Sequence, residues 1–240
     1  MTRISYGSDP NQFGHLRLPE GAGPHPLVIL VHGGFWRDRY DLSHMEPLAE
    51  ALTRDDYATW SVEYRRTGQP GGGWPGTFND VLAAAKFRAD LAAEYPVNSA
   101  RAVVMGFSAG GHLALCVAAS DAALRGVVSL AGVADLQSAW DLRLSDGVVR
   151  DFLSALPEAV PEASPARLSI RIPQRLIHGD QDESVPISIA HDYVQAKQNE
   201  DVQLVEIAGM NHSDLVNPES RAYAVVKRTV AELLAIDDAA

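Results

Sequence analysis

A serine hydroxyl is a poor nucleophile near neutral pH, so a chain that uses one must supply a base to take its proton and a third group to hold that base in the right tautomer. One serine in this chain sits where such chemistry begins. The apolar run Val103 Val104 Met105 leads into Gly106 Phe107 Ser108 Ala109 Gly110, a G-x-S-x-G pattern, and a helical pattern follows from Gly111 and His112. That is the grammar of a nucleophile elbow, a strained strand-to-helix turn in which Gly106 and Gly110 stand where side chains would collide with neighbouring backbone. Ser108 is expected to stand exposed there, with the positive end of the helix dipole and the Ala109 amide ready for an oxyanion. Five residues are a weak pattern, and a glycine-rich turn with an incidental serine would read the same way.

The remaining groups come from three other strand ends. Ile177 closes an apolar run and is followed by His178 Gly179 Asp180 Gln181 Asp182 Glu183 Ser184 Val185 Pro186. Ile207 closes another, followed by Gly209 Met210 Asn211 His212 Ser213 Asp214. His212 is the expected base and Asp182 the expected orienting acid. Asp180 competes for that role, and Asp182 could instead cap the helix that begins near Pro186. Of the other histidines, His191 falls inside a helical stretch, His112 reads as a hydrogen-bonding residue of the elbow helix, and His32 and His178 as residues that orient their loops.

His32 Gly33 Gly34 Phe35 Trp36 follows the apolar run Leu27 to Val31. Successive glycines let backbone amides turn inward toward a charged oxygen, so the Gly34, Phe35 and Ala109 amides are the expected oxyanion hole. Trp36, Phe107 and Trp140 are the expected pocket walls, although an aromatic at such a turn more often packs the core. Glu63 Tyr64 Arg65 Arg66, at the next strand end, reads as a structural ion-pair cluster.

The elements that must position these groups alternate. Strands are predicted over Phe13 to Leu18, Leu27 to Val31, Ala58 to Tyr64, Arg101 to Met105, Gly126 to Ala131, Ile172 to Ile177 and Val202 to Ile207. Helices are predicted over Ser43 to Arg54, Thr77 to Tyr95, Ala109 to Ala119 and Asn217 to Ile236. This alternation implies an α/β fold with a mostly parallel central sheet flanked by helices and the site at the strand C-terminal ends. Val133 to Arg171 is too polar and broken for a sheet strand. It is expected to form a short helical cap over the strand ends, with Leu136, Trp140 and Leu142 facing the region around Ser108.

The chain has 240 residues, of which 46% are hydrophobic and 21% charged, enough for one domain over residues 1–240. A net charge of −11 argues against nucleic-acid or anionic-membrane partners. No apolar run approaches the ~20 residues of a membrane span, and the first ten residues lack a basic start before an apolar run. A lone cysteine, Cys116, suits a reducing cytoplasm. No cluster of His, Cys and carboxylates has metal-ligand spacing, so neither metal nor cofactor is expected. The expected partner is a small-molecule ester or amide, with a homodimer left open.

These motifs together resemble the α/β-hydrolases, in the branch that holds carboxylesterases, hormone-sensitive-lipase-like esterases and kynurenine formamidase (arylformamidase). His32 Gly33 Gly34 Phe35 Trp36 is similar to the formamidase form of the glycine loop, and the order Ser108, Asp182, His212 is the order on that fold. The resemblance implies metal-free hydrolysis through an acyl-enzyme of a small carboxylic ester or aryl amide. Its alternatives are N-formylkynurenine hydrolysis, a peptide or lactone hydrolase, or a non-catalytic receptor. The long N-terminal cap of the lipase-like esterases is missing, which implies a small, fairly open pocket.

Overall fold

Eight strands form one sheet in a computed structural model that describes residues 1–235. They are β1 (Thr2–Ser5), β2 (Phe13–Arg17), β3 (His25–Val31), β4 (Ala58–Val62), β5 (Val97–Phe107), β6 (Gly126–Leu130), β7 (Gln174–Gly179) and β8 (Val202–Ile207). Their order is β1-β2-β4-β3-β5-β6-β7-β8. β2 runs antiparallel to both its neighbours, and every pairing from β4 to β8 is parallel. The C-terminal ends of β3, β5, β7 and β8 therefore lie along one rim, and each expected catalytic loop leaves from that rim.

Helices cover both faces. α1 (Glu46–Arg54) and α8 (Ala222–Ala235) pack on one face, where Leu48, Leu52, Val226 and Val230 meet Val28, Leu30, Val103 and Met105. The other face is covered by α2 (Gly76–Lys86), α3 (Arg88–Glu94), α4 (Ala109–Ser120) and α7 (Ser188–Ala196). Leu27, Ile29, Val31, Val104 and Leu113 are fully buried there. Alternate residues of β3 and β5 go to opposite cores, which is why those strands read as unbroken apolar runs.

Several boundaries differ from expectation for local reasons. β1 is polar and four residues long, so no periodicity announced it. The helix predicted over Thr77 to Tyr95 is two helices, divided at Phe87. β7 begins at Gln174 rather than Ile172, since the intervening Pro173 has no N–H for a ladder and only its carbonyl is used, by the Val127 amide. The closing helix starts at Ala222, after a 3-10 turn over Ser213–Val216, and Ile236 lies outside the described residues.

Residues 133–171 hold α5 (Leu136–Asp141), α6 (Leu144–Leu153) and three short 3-10 turns. Residues 145–147 of α6 are left-handed, so its regular part starts at Val148. This segment packs on α4 and on the turn before α2: the Ala163 carbonyl meets the His112 ring of α4 at 2.7 Å, and the Trp74 amide donates to the Phe152 carbonyl. Leu136 is fully buried and Leu142 is exposed. No helix among the described residues is long and apolar enough to cross a membrane.

Candidate active site

Ser108 sits between β5 and α4 at φ 56° and ψ −121°, a conformation that costs a non-glycine residue of the order of 1–3 kcal/mol and survives only where the surroundings impose it. The glycines around it impose it. A Cβ on Gly106 would lie 2.0 Å from the Gly110 carbonyl oxygen, and one on Gly110 would lie 2.1 Å from that of Val31. The turn is thus pressed against itself and against β3. Contrary to the expected exposure, Ser108 is only 2% accessible and opens into a cavity of about 250 Å³. Gly34, Phe35, Tyr40, His44, Phe107, Ser184 and His212 line the rest of that cavity.

His212 and Asp182 meet across the β7 and β8 loops. The His212 Nδ1–H donates to Asp182 Oδ2 at 2.7 Å, which leaves Nε2 as the nitrogen free to act. Asp182 Oδ1 accepts the Ser184 and Val185 amides, both at 2.9 Å, so the capping role and the contact with histidine belong to the same side chain. His178 Nε2 adds a second imidazole, 3.3 Å from Oδ2 and 2.8 Å from the Val185 carbonyl. Burial would raise the Asp182 pKa, but hydrogen bonds from His178, His212 and Val185 outweigh it and hold the carboxyl below the usual carboxylate range. Asp180 points elsewhere: its Oδ1 accepts the Gly209 amide at 2.6 Å and shapes the loop that carries His212. Among the described residues the Ser108 hydroxyl has no hydrogen-bond partner. The serine–imidazole contact of such sites commonly tightens only around substrate.

Gly34 and Phe35 line the same cavity as Ser108, and Ala109 follows Ser108 directly. Gly34, Phe35 and Trp36 have φ values of 106°, 50° and 57°, a left-handed run that turns successive N–H groups to one side. Among the described residues, the Gly34, Phe35 and Ala109 amides find no acceptor within the chain. Gly34 and Phe35 are half-buried at the cavity wall, so their amides are open to a ligand there.

The expected walls divide. Phe107 lines the cavity, its ring 4.6 Å from that of His212. Trp36 does not: it is 1% accessible, stacks on Phe152 at 4.4 Å and donates from its indole nitrogen to His112 Nδ1 at 3.2 Å. His112, also fully buried, reaches Ala163 O at 2.7 Å with Nε2, so the oxyanion loop, the elbow helix and the segment above them are tied through one ring. Trp140 faces a different cleft, shared with Arg143, Asp146, Gly147 and Arg150. No residue between 133 and 171 lines the cavity at Ser108. The segment expected as a lid closes the core beside α4 instead, because its apolar residues find α4 and the turn before α2 closer than the strand rim.

Sequence reasoning missed Tyr40, His44 and Ser184 as wall residues. Tyr40 stands in irregular backbone after the glycine loop, and His44 in a single 3-10 turn, Leu42–Met45, where the predicted helix begins, so no regular periodicity assigns either a face; nearness in sequence to Gly33 and Gly34 was the available signal.

An eight-stranded sheet of this order, a serine elbow at the end of β5, and acid and histidine loops after β7 and β8 define an α/β-hydrolase. The family model described as BD-FAE matches residues 16–196, and the chain belongs to that family. Ser108 and Asp182 fall inside the matched span and His212 beyond it. The chain is 27% identical to an isoprenylcysteine alpha-carbonyl methylesterase of Arabidopsis thaliana, over 88% of this chain and 56% of the relative. It is 26% identical to esterase LipC of Mycobacterium tuberculosis, over 88% of this chain and 59% of the relative. The chain therefore spans a little over half the length of these relatives. In fold it is similar to a truncated carbohydrate esterase from gut microbiota, with a TM-score of 0.83, 18% identity, and 98% and 95% of the two chains covered.

Proposed function

We propose that this protein is a serine hydrolase of small carboxylic esters. The observation that carries the reading is one cavity that holds the Ser108 hydroxyl, the His212 ring braced on Asp182, and the acceptor-less amides of the glycine loop. Ser108 Oγ attacks the ester carbon while His212 Nε2 takes its proton. The carbonyl oxygen, now negative, is received by the Gly34, Phe35 and Ala109 amides. His212 returns the proton to the departing alcohol, and a water deprotonated by the same nitrogen cleaves the acyl-enzyme and releases Ser108.

The cavity of about 250 Å³, walled by Phe35, Tyr40, His44 and Phe107, suits a short acyl group. Support for esters over amides comes from relatives named as esterases, at 26% and 27% identity. A reducing compartment, the cytoplasm, is part of the same reading, since Cys116 is buried and unpaired.

The test is a panel of p-nitrophenyl esters from acetate to octanoate, with N-formylkynurenine beside them, run on the parent and on Ser108→Ala. Turnover of the short esters and labelling by an organophosphonate should both vanish in the variant with its thermal midpoint kept. Turnover in the variant within tenfold of the parent removes Ser108 from the chemistry, and a parent faster on the formamide than on any ester replaces the ester reading.

A further inference from the structure

Behind the glycine loop lies a charged cluster that the chemistry above does not use. His32 is fully buried, Glu63 is 2% accessible and Arg66 5%. The His32 ring has an oxygen acceptor at each nitrogen: the Gly33 carbonyl 2.8 Å from Nδ1, and Glu63 Oε1 3.0 Å from Nε2. A neutral imidazole has one N–H, so either tautomer would aim a lone pair at an oxygen beside a ring that is fully buried. Only the doubly protonated ring satisfies both contacts.

The other groups around the ring fit that charge. Glu63 Oε1 also accepts the Tyr64 amide and lies 3.4 Å from the Arg66 guanidinium, and Oε2 accepts the Leu42 amide, contacts that all favour the anion. Tyr64 stacks on the imidazole at 4.2 Å and gives its hydroxyl proton to the His32 carbonyl at 2.7 Å, so the same hydroxyl, 3.4 Å from Nδ1, has no proton left for that nitrogen. His44, 5.7 Å away edge-on, takes the Gly33 N–H at its Nε2 and so faces the cluster as a neutral ring. Asp41 is the remaining carboxylate near the cluster, turned outward to the Ser43 amide.

The Gly33 carbonyl and the Gly34 N–H belong to one trans peptide and point in opposite directions. A donor that grips the carbonyl from behind fixes where the N–H points and, by polarising the amide, strengthens it as a donor. We propose that His32 is a positioning residue of the oxyanion hole, held as an imidazolium between Glu63 and the Gly33 carbonyl so that it aims and polarises the Gly34 amide. The inference rests on the esterase reading for its consequence but not for its chemistry.

Two measurements test it. In 15N-labelled parent protein at pH 8, where a solvated imidazole is neutral, the ring nitrogens of His32, assigned by their loss in His32→Gln, should both resonate as protonated. One unprotonated nitrogen overturns the proposal, whatever the enzyme does. Glu63→Gln removes the counter-charge and keeps the shape. It should lower kcat on the order of ten- to a hundredfold with KM within about threefold, and weaken a trifluoromethyl ketone, which forms the tetrahedral adduct, by the same factor. A folded variant that keeps its kcat overturns the proposal, and one that fails to fold leaves the decision to the resonance of the parent. Absent turnover in the parent itself would sink the esterase reading and leave the His32 measurement standing.

Discussion

Two carboxylates two residues apart offered themselves to His212, and sequence alone chose between them only by the room the turn needs. Asp182 reaches the imidazole at 2.7 Å while Asp180 holds the Gly209 amide, so the two must respond differently to loss of charge. Asp182→Asn should lower kcat by about four orders of magnitude, because the imidazole loses the group that fixes its tautomer. Asp180→Asn keeps an oxygen for Gly209 and should stay within about an order of magnitude of the parent. Steady-state kinetics of both variants decide, and a reversed order moves the acid to Asp180. Its hydrogen bonds hold Asp182 ionised below the usual carboxylate range, so it remains the imidazole's counter-charge on mild acidification.

At the scale of elements, much of the frame could be read from the chain because the physics that builds it is local. Leu27 to Val31 and Val103 to Met105 are apolar on both faces, as strands covered twice must be, and Gly106 and Gly110 mark contacts too close for a Cβ. Residues 133–171 were misplaced because apolar composition says that Leu136 and Trp140 pack, not against what. The cluster they join, with Leu113 and Val117 of α4 and Phe152 of α6, comes together only in three dimensions. It follows that Trp140→Ala should leave the ratio of kcat/KM for acetate and butyrate esters within about twofold of the parent, since its cleft is not the one at Ser108. Phe35→Ala, at the cavity wall, should shift that ratio toward the longer acyl group by ~1 to 3 kcal/mol. Acyl-chain profiles of the two variants measured together are the check, and a larger shift at Trp140 would restore the lid.

Across the whole molecule, two neutral imidazoles, half-buried His44 beside the glycine loop and fully buried His112 on α4, fix how the fold responds to acid. Burial holds His44 down to about 4, with the neighbouring His32 charge acting in the same direction, and burial alone brings His112 to about 4. In the unfolded chain both would titrate near ~6.5. Between those values the unfolded state binds protons that the native state refuses, so stability falls as pH drops from ~6.5 toward 4, and His112 accounts for a loss on the order of 3 kcal/mol. The carboxyl of Asp182 works in a lower window: its depressed value adds stability above the ~3.9 of a free aspartate and loses it only as the pH falls further. Thermal midpoints measured from pH 7 to pH 4 should therefore decline well before carboxylates titrate. His112→Phe leaves the Trp36 indole without a partner and the Ala163 carbonyl with only the Cys116 thiol, so it should melt lower at pH 7, yet its midpoint should decline less over the same range because one proton sink of the unfolded chain is gone. A variant whose midpoint falls as steeply as the parent's would show that His112 is not the group acid attacks.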